Sequence, residues 1–376
     1  MDRLSRFSQF EKEVLLGLQS HDLRRVAQTK TEAARIELEG RKVGWFTRRL
    51  RSVRESVNGE AWELTLLSRE KIAVKLAPFF RANAFEEGRG SNCEPWRELA
   101  LLERCTALFK ETGLPQLPLL FGHGLCKGLG EGDYGNPRFR ERLRRENTGK
   151  ALFLYNELCE TDLSTWVRTG LPKVEDCEDA LMAALFQIFA SLQLLQSRLG
   201  LVHFDLIPGN VLVSSVEPGY WQYKLGDQRW LVPNHGLAFI PWDFSKGVLL
   251  GEDTPELVVA RALSYEKRSL KVEVPGLKEA IHEQPGLAIL KTIDVCKIAR
   301  NLKTVLVNYG PKDLGVDAVI GLLKGIRDQA SVDFVQSLES SEMMPATLLR
   351  RHFGRYLGVH MKGARVLNAV PFNLGS

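Results

Sequence analysis

A carboxylate and an amide flank a tight turn near the middle of the chain. Asp205 and Asn210 stand on either side of the dipeptide Pro208-Gly209, and a short apolar strand, Val211 to Val213, follows. Phosphoryl transfer requires a carboxylate at the substrate hydroxyl and a nearby carbonyl oxygen that can hold a Mg²⁺ ion. The two residues therefore predict a phosphoryl-transfer loop. Because the same residue types also meet by chance in ordinary loops, other parts of the chain have to support this interpretation.

The residues around this turn resemble the catalytic loop of the protein kinase superfamily. The segment that starts at His203 matches the kinase pattern H-R-D-x-x-x-x-N, with Phe204 in the arginine position. A strand predicted over residues 72–76 presents one lysine, Lys75, and resembles the kinase strand V-A-I-K, whose lysine holds the α- and β-phosphates of ATP. An edge strand with a solvated Lys75 is the alternative. The resemblance implies that Asp205 and Lys75 act in catalysis.

The helix predicted after this strand offers an acidic partner for Lys75. Kinases place a glutamate on this helix to pair with the strand lysine. Glu98 lies in the middle of the helix and is the predicted catalytic partner. Glu94 is the second candidate, because it lies in the first turn, where acids are common as a response to the helix dipole.

Two further stretches resemble the nucleotide site of kinases. The loop G-x-G-x-x-G retains only its last glycine, Gly59, because Arg54 and Ser56 stand where the first two would be. The strand formed by residues 151–158 resembles the kinase hinge. By this resemblance the residues that bind the adenine are Asn156, Glu157 and Leu158, and Asp162 is placed for the ribose hydroxyls. The implied cofactors are ATP and Mg²⁺.

Two acids compete for the role of the second metal ligand beside Asn210. Kinases place this acid in the motif D-F-G. Asp227 lies close to the usual distance from the loop, but Gly226-Asp227 is typical of a hairpin turn. Asp243 keeps the Asp-Phe pair, with Ser245 in place of glycine. The intervening segment resembles kinases of large nucleocytoplasmic DNA viruses, which have Y-K-I-G-D…V-P-x-x-G at this point, and Asp243 is therefore the predicted ligand.

The resemblance implies an α+β, two-lobed protein kinase-like fold. Residues 1–42 are predicted as an N-terminal helical extension, with helix over residues 1–40. Residues 43–158 form the small β-rich lobe, and the basic insertion at 127–150 is predicted to be a solvated surface loop. Residues 159–376 form the larger, mainly helical lobe, with an inserted hairpin at 216–238. Within this lobe, Asp294 is expected to hold the backbone of the catalytic loop.

The composition of the chain is typical of folded globular proteins. The chain has 376 residues, a net charge of +5 and six scattered cysteines without a C-x-x-C pair. These features favour a reducing compartment over a zinc or disulfide framework, and the charge is too small to indicate nucleic acid. No apolar run is expected to span a bilayer, and no signal peptide is predicted. The expected location is the cytoplasm of a host cell. The virion, into which the protein would be packaged, is considered as a second location.

The predicted function is that of an ATP- and Mg²⁺-dependent protein kinase acting on serine and threonine. Its expected partners are protein substrates, including viral structural or virion proteins. One alternative is an inactive kinase-like scaffold inside a virion, which the reduced glycine loop favours, as does Ile207 at the position of a phosphate-contacting lysine. The other is a small-molecule phosphotransferase of the aminoglycoside or choline kinase kind, which shares H-x-D-x-x-x-x-N.

Overall fold

The chain has a mixed α+β structure that divides into two compact units. The computed structural model describes residues 37–38, 41–42, 51–55, 60–65, 71–80, 93–127, 137–271, 273–310, 315–336, 343–358 and 365–375. The first unit contains Met1–Ala107 and Pro118–Leu158, and the second contains Leu108–Leu117 and Cys159–Ser376. Gly59 and the helix predicted for residues 1–36 lie outside the described residues.

The first unit is built on a five-stranded antiparallel sheet with the order β3-β4-β5-β7-β6. Its strands are β3 (Arg51–Glu55), β4 (Glu60–Thr65), β5 (Lys71–Phe80), β6 (Leu120–Lys127) and β7 (Asn147–Glu157). Burial alternates along the first part of β5, where Ile72, Val74 and Leu76 are buried. This period of two is that of a strand with one face on the core. Helix α1 spans Glu94–Thr112 and follows the β5 segment in the chain.

Two predictions for this part of the chain are wrong. Strand β1 (Glu37–Leu38) pairs with β2 (Arg41–Lys42), so helix does not continue to residue 40. The basic insertion is not a loop over its second part, because helix α2 spans Pro137–Glu146 and β7 follows directly. Phe139 and Leu143 lie one turn apart and are both buried, which gives this arginine-rich helix an apolar face.

The second unit is organised around the long helix α4 (Cys177–Leu199). The side chain of Asp176 caps its first turn by accepting a hydrogen bond from the Asp179 N–H. No apolar run was expected to be long enough to span a bilayer. Helix α4 is nevertheless long and apolar enough to cross a membrane, with a mean hydropathy of 1.4. However, 94% of that window is buried inside the protein, which is typical of a core helix.

Short sheets surround α4. Strands β8 (Thr161–Asp162), β10 (Val211–Ser215) and β13 (Leu237–Pro241) form one sheet with β10 in the centre, and β9 (Leu201–Val202) pairs with β14 (Val248–Leu249). A third sheet has the order β12-β11-β15 and contains β11 (Tyr220–Leu225), β12 (Gln228–Pro233) and β15 (Phe372–Asn373). The hairpin of β11 and β12 turns at Gly226-Asp227, as the sequence pattern predicts. Tyr223 and Trp230 anchor it against Phe186 of α4, with ring centroids 4.9 Å and 5.9 Å apart.

The remaining helices complete the second unit. They are α3 (Leu163–Thr169), α5 (Pro255–Tyr265), α6 (Leu277–Glu283), α7 (Thr292–Tyr309), α8 (Asp317–Gln336) and α9 (Pro345–His352). Short 3₁₀ turns lie at Leu171–Lys173, Pro208–Asn210, Phe244–Lys246, Ala288–Lys291 and Gly354–Tyr356, and Glu266–Leu270 forms a π turn. Helices α7 and α8 pack against each other. Helix α7 carries Asp294 and Lys297 towards the loop that holds Asp205.

Gly200 ends α4 and leads into the segment that carries His203. Its φ of 64° is left-handed, and a Cβ atom there would lie 2.9 Å from the carbonyl oxygen of Leu250. We expect Gly200→Ala to lower the free energy of unfolding by about 1–2 kcal/mol, the cost of a left-handed residue with a side chain, before the clash is added. Urea denaturation measures this loss. Gly286→Ala is the control, because no atom lies within 4 Å of its Cβ position. Equal losses in the two variants would contradict the prediction.

Candidate active site

One buried carboxylate holds the backbone of the loop before Asp205. Asp294 has no exposed surface, and its two oxygens accept the N–H groups of His203 at 2.7 Å and Phe204 at 2.8 Å. Burial raises the pKa of Asp294, and the nearby His203 and these two N–H groups act in the opposite direction. Phe204 has a φ of 58°, a left-handed conformation that is uncommon for a residue with a side chain. The predicted structural role of Asp294 is confirmed.

His203 connects this loop to the segment that follows β13. The Asp205 N–H donates to Nδ1 of His203 at 3.2 Å, and Nε2 lies 2.8 Å from the carbonyl oxygen of Trp242. In this arrangement Nδ1 accepts a hydrogen bond and Nε2 donates one. The ring also packs against Phe244, with centroids 4.9 Å apart. His203 therefore positions the residues on either side of Asp243 relative to Asp205.

Asp205 lies between two lysines that the sequence analysis did not identify. Lys246 Nζ lies 2.7 Å from one carboxylate oxygen and Lys297 Nζ lies 2.8 Å from the other. Lys297 also donates to the carbonyl oxygen of Phe204 at 2.7 Å. Burial opposes ionisation of Asp205, but the two ammonium groups outweigh it and lower the pKa of this carboxyl group. Asp205 is therefore an ionised acceptor at neutral pH.

The chain segments that carry Asn210 and Asp243 are paired, because β10 and β13 begin and end next to them. The amide Nδ2 of Asn210 donates to the carbonyl oxygen of Asp205 at 2.9 Å, which fixes the orientation of the amide. The N–H of Trp242 donates to the carbonyl oxygen of Asn210 at 2.8 Å, and Asp243 is the next residue. In contrast, Asp227 is exposed at the turn of the β11–β12 hairpin. The structure thus brings Asp243, and not Asp227, next to Asn210.

This pair of residues fits a magnesium ion by the chemistry of its donors. Mg²⁺ prefers oxygen ligands and is usually bound through one or two carboxylates together with phosphates and waters. Asp243 offers a carboxylate and Asn210 an amide oxygen. Within the described ranges, no group of three or more His, Cys, Asp or Glu side chains could hold a metal ion. A magnesium ion held by these two residues would complete its coordination with further oxygens, such as those of water or phosphate.

In the first unit, Lys75 and Glu98 form the ion pair that the sequence predicts. Lys75 Nζ lies 2.5 Å from a carboxylate oxygen of Glu98, and only 3% of the Glu98 side chain is exposed. Such burial is costly for an unpaired charge, so each group stabilises the other. Between the two candidate glutamates, the partner in the structure is Glu98, while Glu94 begins α1.

The predicted hinge residues have clear structural contacts of their own. Asn156 is fully buried and donates to the carbonyl oxygen of Leu154 at 2.9 Å, and the Glu157 N–H donates to that of Leu119 at 3.3 Å. Leu158 is half-buried. Asp162 is the N-cap of α3, because its carboxylate accepts the N–H and the hydroxyl of Thr165, each at 3.0 Å. This capping role was not predicted, although the pattern Asp-x-x-Thr could have indicated it.

Comparisons with known proteins give one distant relative. No protein-family model matches the chain. A protein of Frog virus 3 (isolate Goorha), named "Putative serine/threonine-protein kinase 019R", is 33% identical to this chain over 137 residues. The matched region is 35% of this chain but only 14% of the relative, so the chain spans a small part of that protein's length. The match supports a resemblance to a kinase and to a viral protein at this coarse level.

The lowered pKa of Asp205 predicts how its contribution to stability depends on pH. A carboxyl group whose pKa is depressed by folding stabilises the fold above its unfolded value of about 3.9, and this stabilisation is lost as the pH falls through the folded value. We expect Asp205→Asn to reduce the free energy of unfolding clearly at about pH 7 and much less at about pH 3. Urea denaturation at both pH values measures the difference.

Asp227→Asn provides the matched control for this measurement. It removes one carboxylate from an exposed turn, so little change in stability is expected at either pH. If the Asp205→Asn loss were the same at low and neutral pH, the two lysines would not be stabilising an ionised Asp205.

Proposed function

We propose that the protein is an ATP- and Mg²⁺-dependent protein kinase that transfers the γ-phosphoryl group to serine or threonine hydroxyls, on a two-lobed kinase-like fold. The observation that carries the proposal is the ionised Asp205 on a loop anchored by Asp294, with Asn210 and Asp243 adjacent to it. The Lys75–Glu98 pair in the first unit and the partial similarity to a viral protein named as a kinase support it.

Each site residue has a defined role in this proposal. Asp205 orients the acceptor hydroxyl and receives its proton, for which an ionised carboxylate is required. Lys75, held by Glu98, binds the α- and β-phosphates. Asn210 and Asp243 would hold Mg²⁺, which offsets the negative charge of the phosphates. The proposed nucleotide contacts are Gly59, Asn156, Glu157, Leu158 and Asp162.

Lys246 provides a positive charge near Asp205, whereas the loop of residues 203–210 contains no lysine. Ile207 stands where the resemblance predicts a phosphate-contacting lysine. Lys246 brings an ammonium group to 2.7 Å from Asp205, and 34% of its side chain is exposed, against 15% for Lys297. Lys297 is also held by the carbonyl oxygen of Phe204. We therefore assign phosphate contact to the more accessible Lys246 and loop support to Lys297.

The proposal extends to the setting in which the protein works. The relative comes from a virus, which supports a viral origin for the proposed kinase. As part of the same proposal, the protein acts in the host cytoplasm or within the virion. Viral structural proteins would then be among its protein substrates. The alternatives are a scaffold without catalysis and an enzyme that phosphorylates small alcohols. A scaffold would transfer no phosphoryl group, and the second enzyme would phosphorylate a small alcohol but no protein.

A label-transfer assay tests the proposed function. Purified protein is incubated with γ-³²P-labelled ATP and Mg²⁺, and casein, a basic protein, the chain itself and small alcohols are offered as acceptors. We expect label on protein serine or threonine. Lys75→Met and Asp205→Ala should each lower the rate at least about 100-fold, because positioning and proton transfer are lost.

Asp227→Asn is the control for this assay, since it removes a carboxylate far along the hairpin from Asp205. It should transfer label at the wild-type rate. Transfer to small alcohols alone would replace the proposal with the small-molecule reaction. If the wild type transferred no label to any acceptor, the scaffold alternative would be favoured instead.

The role of Lys246 gives a separate prediction. A hydrogen bond to a charged group contributes about 1.5–3 kcal/mol, so Lys246→Met should lower kcat about 10- to 100-fold. KM for ATP should change less, because the contact is proposed to strengthen as the phosphoryl group moves. Lys246→Arg should recover part of the rate, and Lys324→Met, on the exposed side of α8, should have no effect. An unchanged kcat in Lys246→Met would remove this residue from the site.

A further inference from the structure

A cavity with a cationic lining includes Lys297 in its wall. Its volume is about 320 Å³, and it is lined by residues of α5, α7, α8 and the π turn after α5. Three of its lining residues are cations, Lys297, Arg300 and Arg327. Among the lining residues that the structure describes none is acidic, although Lys297 pairs with Asp205 and Arg327 with Asp328. A concave surface with this composition favours an anion.

The two arginines retain donors beyond the contacts that hold them in place. Arg300 Nη1 donates to the carbonyl oxygen of Ser269 at 2.6 Å. Arg327 donates from both Nε, at 2.6 Å, and Nη2 to one carboxylate oxygen of Asp328. A guanidinium carries five N–H donors, so these contacts orient each group without using all of its donors. The donors that remain can form charge-assisted hydrogen bonds with phosphate oxygens.

Tyr265 forms part of the wall of this cavity. It is 4% exposed, and its buried hydroxyl lies against the thiol of Cys296, another lining residue. Burial is the main cause that raises the pKa of Tyr265, so the hydroxyl stays neutral. We therefore assign it no contact with a ligand.

We propose that this cavity binds a phosphate monoester or free phosphate dianion through Arg300 and Arg327. Lys297 lines the cavity while its Nζ donates to Asp205 and to the carbonyl oxygen of Phe204, so one lysine borders both the cavity and the candidate base. If the proposed kinase function holds, a phosphoserine or phosphothreonine already present on the acceptor would dock here. The binding itself does not depend on that function.

Calorimetric titration of the full chain, without ATP or Mg²⁺, tests the site. The probes are inorganic phosphate, a short phosphoserine peptide and the same peptide without its phosphate. We expect the wild type to bind both phosphate-bearing probes and not the third. The double variant Arg300→Gln/Arg327→Gln should bind them about tenfold or more weakly, because it loses two charge-assisted contacts.

Four further variants test whether binding is specific to this cavity. Lys324→Gln removes one charge from the same helix as Arg327 but does not line the cavity, and it should bind as the wild type does. Lys75→Met should also keep its affinity, which would exclude binding at the proposed nucleotide contacts. Arg327→Lys should weaken binding less than Arg327→Gln. Thermal unfolding of each variant establishes that it is folded.

The two sources of phosphate give different affinities. Tighter binding of the phosphoserine peptide than of inorganic phosphate supports a protein-borne ligand, and equal binding supports the free anion. The proposal is overturned if the wild type binds neither phosphate-bearing probe, or if the folded double variant binds them as tightly as the wild type. Because neither ATP nor catalysis enters the measurement, its outcome is independent of whether the protein is a kinase.

Discussion

The candidate active site depends on the buried carboxylate of Asp294. A buried carboxylate must find donors within the protein, and Asp294 finds them in two consecutive backbone N–H groups of the loop. These bonds hold Phe204 in a left-handed conformation and leave His203 free to bridge Asp205 and Trp242 through its two ring nitrogens. The hydrogen bonds that satisfy this buried carboxyl group therefore also set the direction of the chain that carries Asp205.

The electrostatic state of Asp205 follows from its two lysine neighbours. Each carboxylate oxygen accepts one ammonium group, which keeps Asp205 ionised although it is partly buried. Ionised carboxylates have about four acceptor positions, so an approaching hydroxyl can still be bound. The two lysines differ in exposure, and Lys297 also faces the cationic cavity. This difference in exposure is the reason why the proposed function assigns phosphate contact to Lys246 and loop support to Lys297.

Local patterns in the sequence predicted the parts of the site that short motifs determine. The Lys75–Glu98 pair, the anchoring role of Asp294 and the β11–β12 hairpin are present in the structure. Lys246 and Lys297 were missed because they reach Asp205 from 41 and 92 residues away, and no local pattern encodes such contacts. Helix α2 was missed because its many arginines concealed two buried apolar residues four positions apart, Phe139 and Leu143.

The central claim is that Asp205, Asn210 and Asp243 form one metal-dependent centre. Electron paramagnetic resonance of Mn²⁺, which shares the oxygen ligands of Mg²⁺, tests it directly in the presence of ATP. The account predicts a protein-bound Mn²⁺–ATP signal in the wild type and in Asp227→Asn, and its loss in Asp243→Asn and Asn210→Ala. An Asp243→Asn variant that kept the full signal while Asp227→Asn lost it would contradict the account.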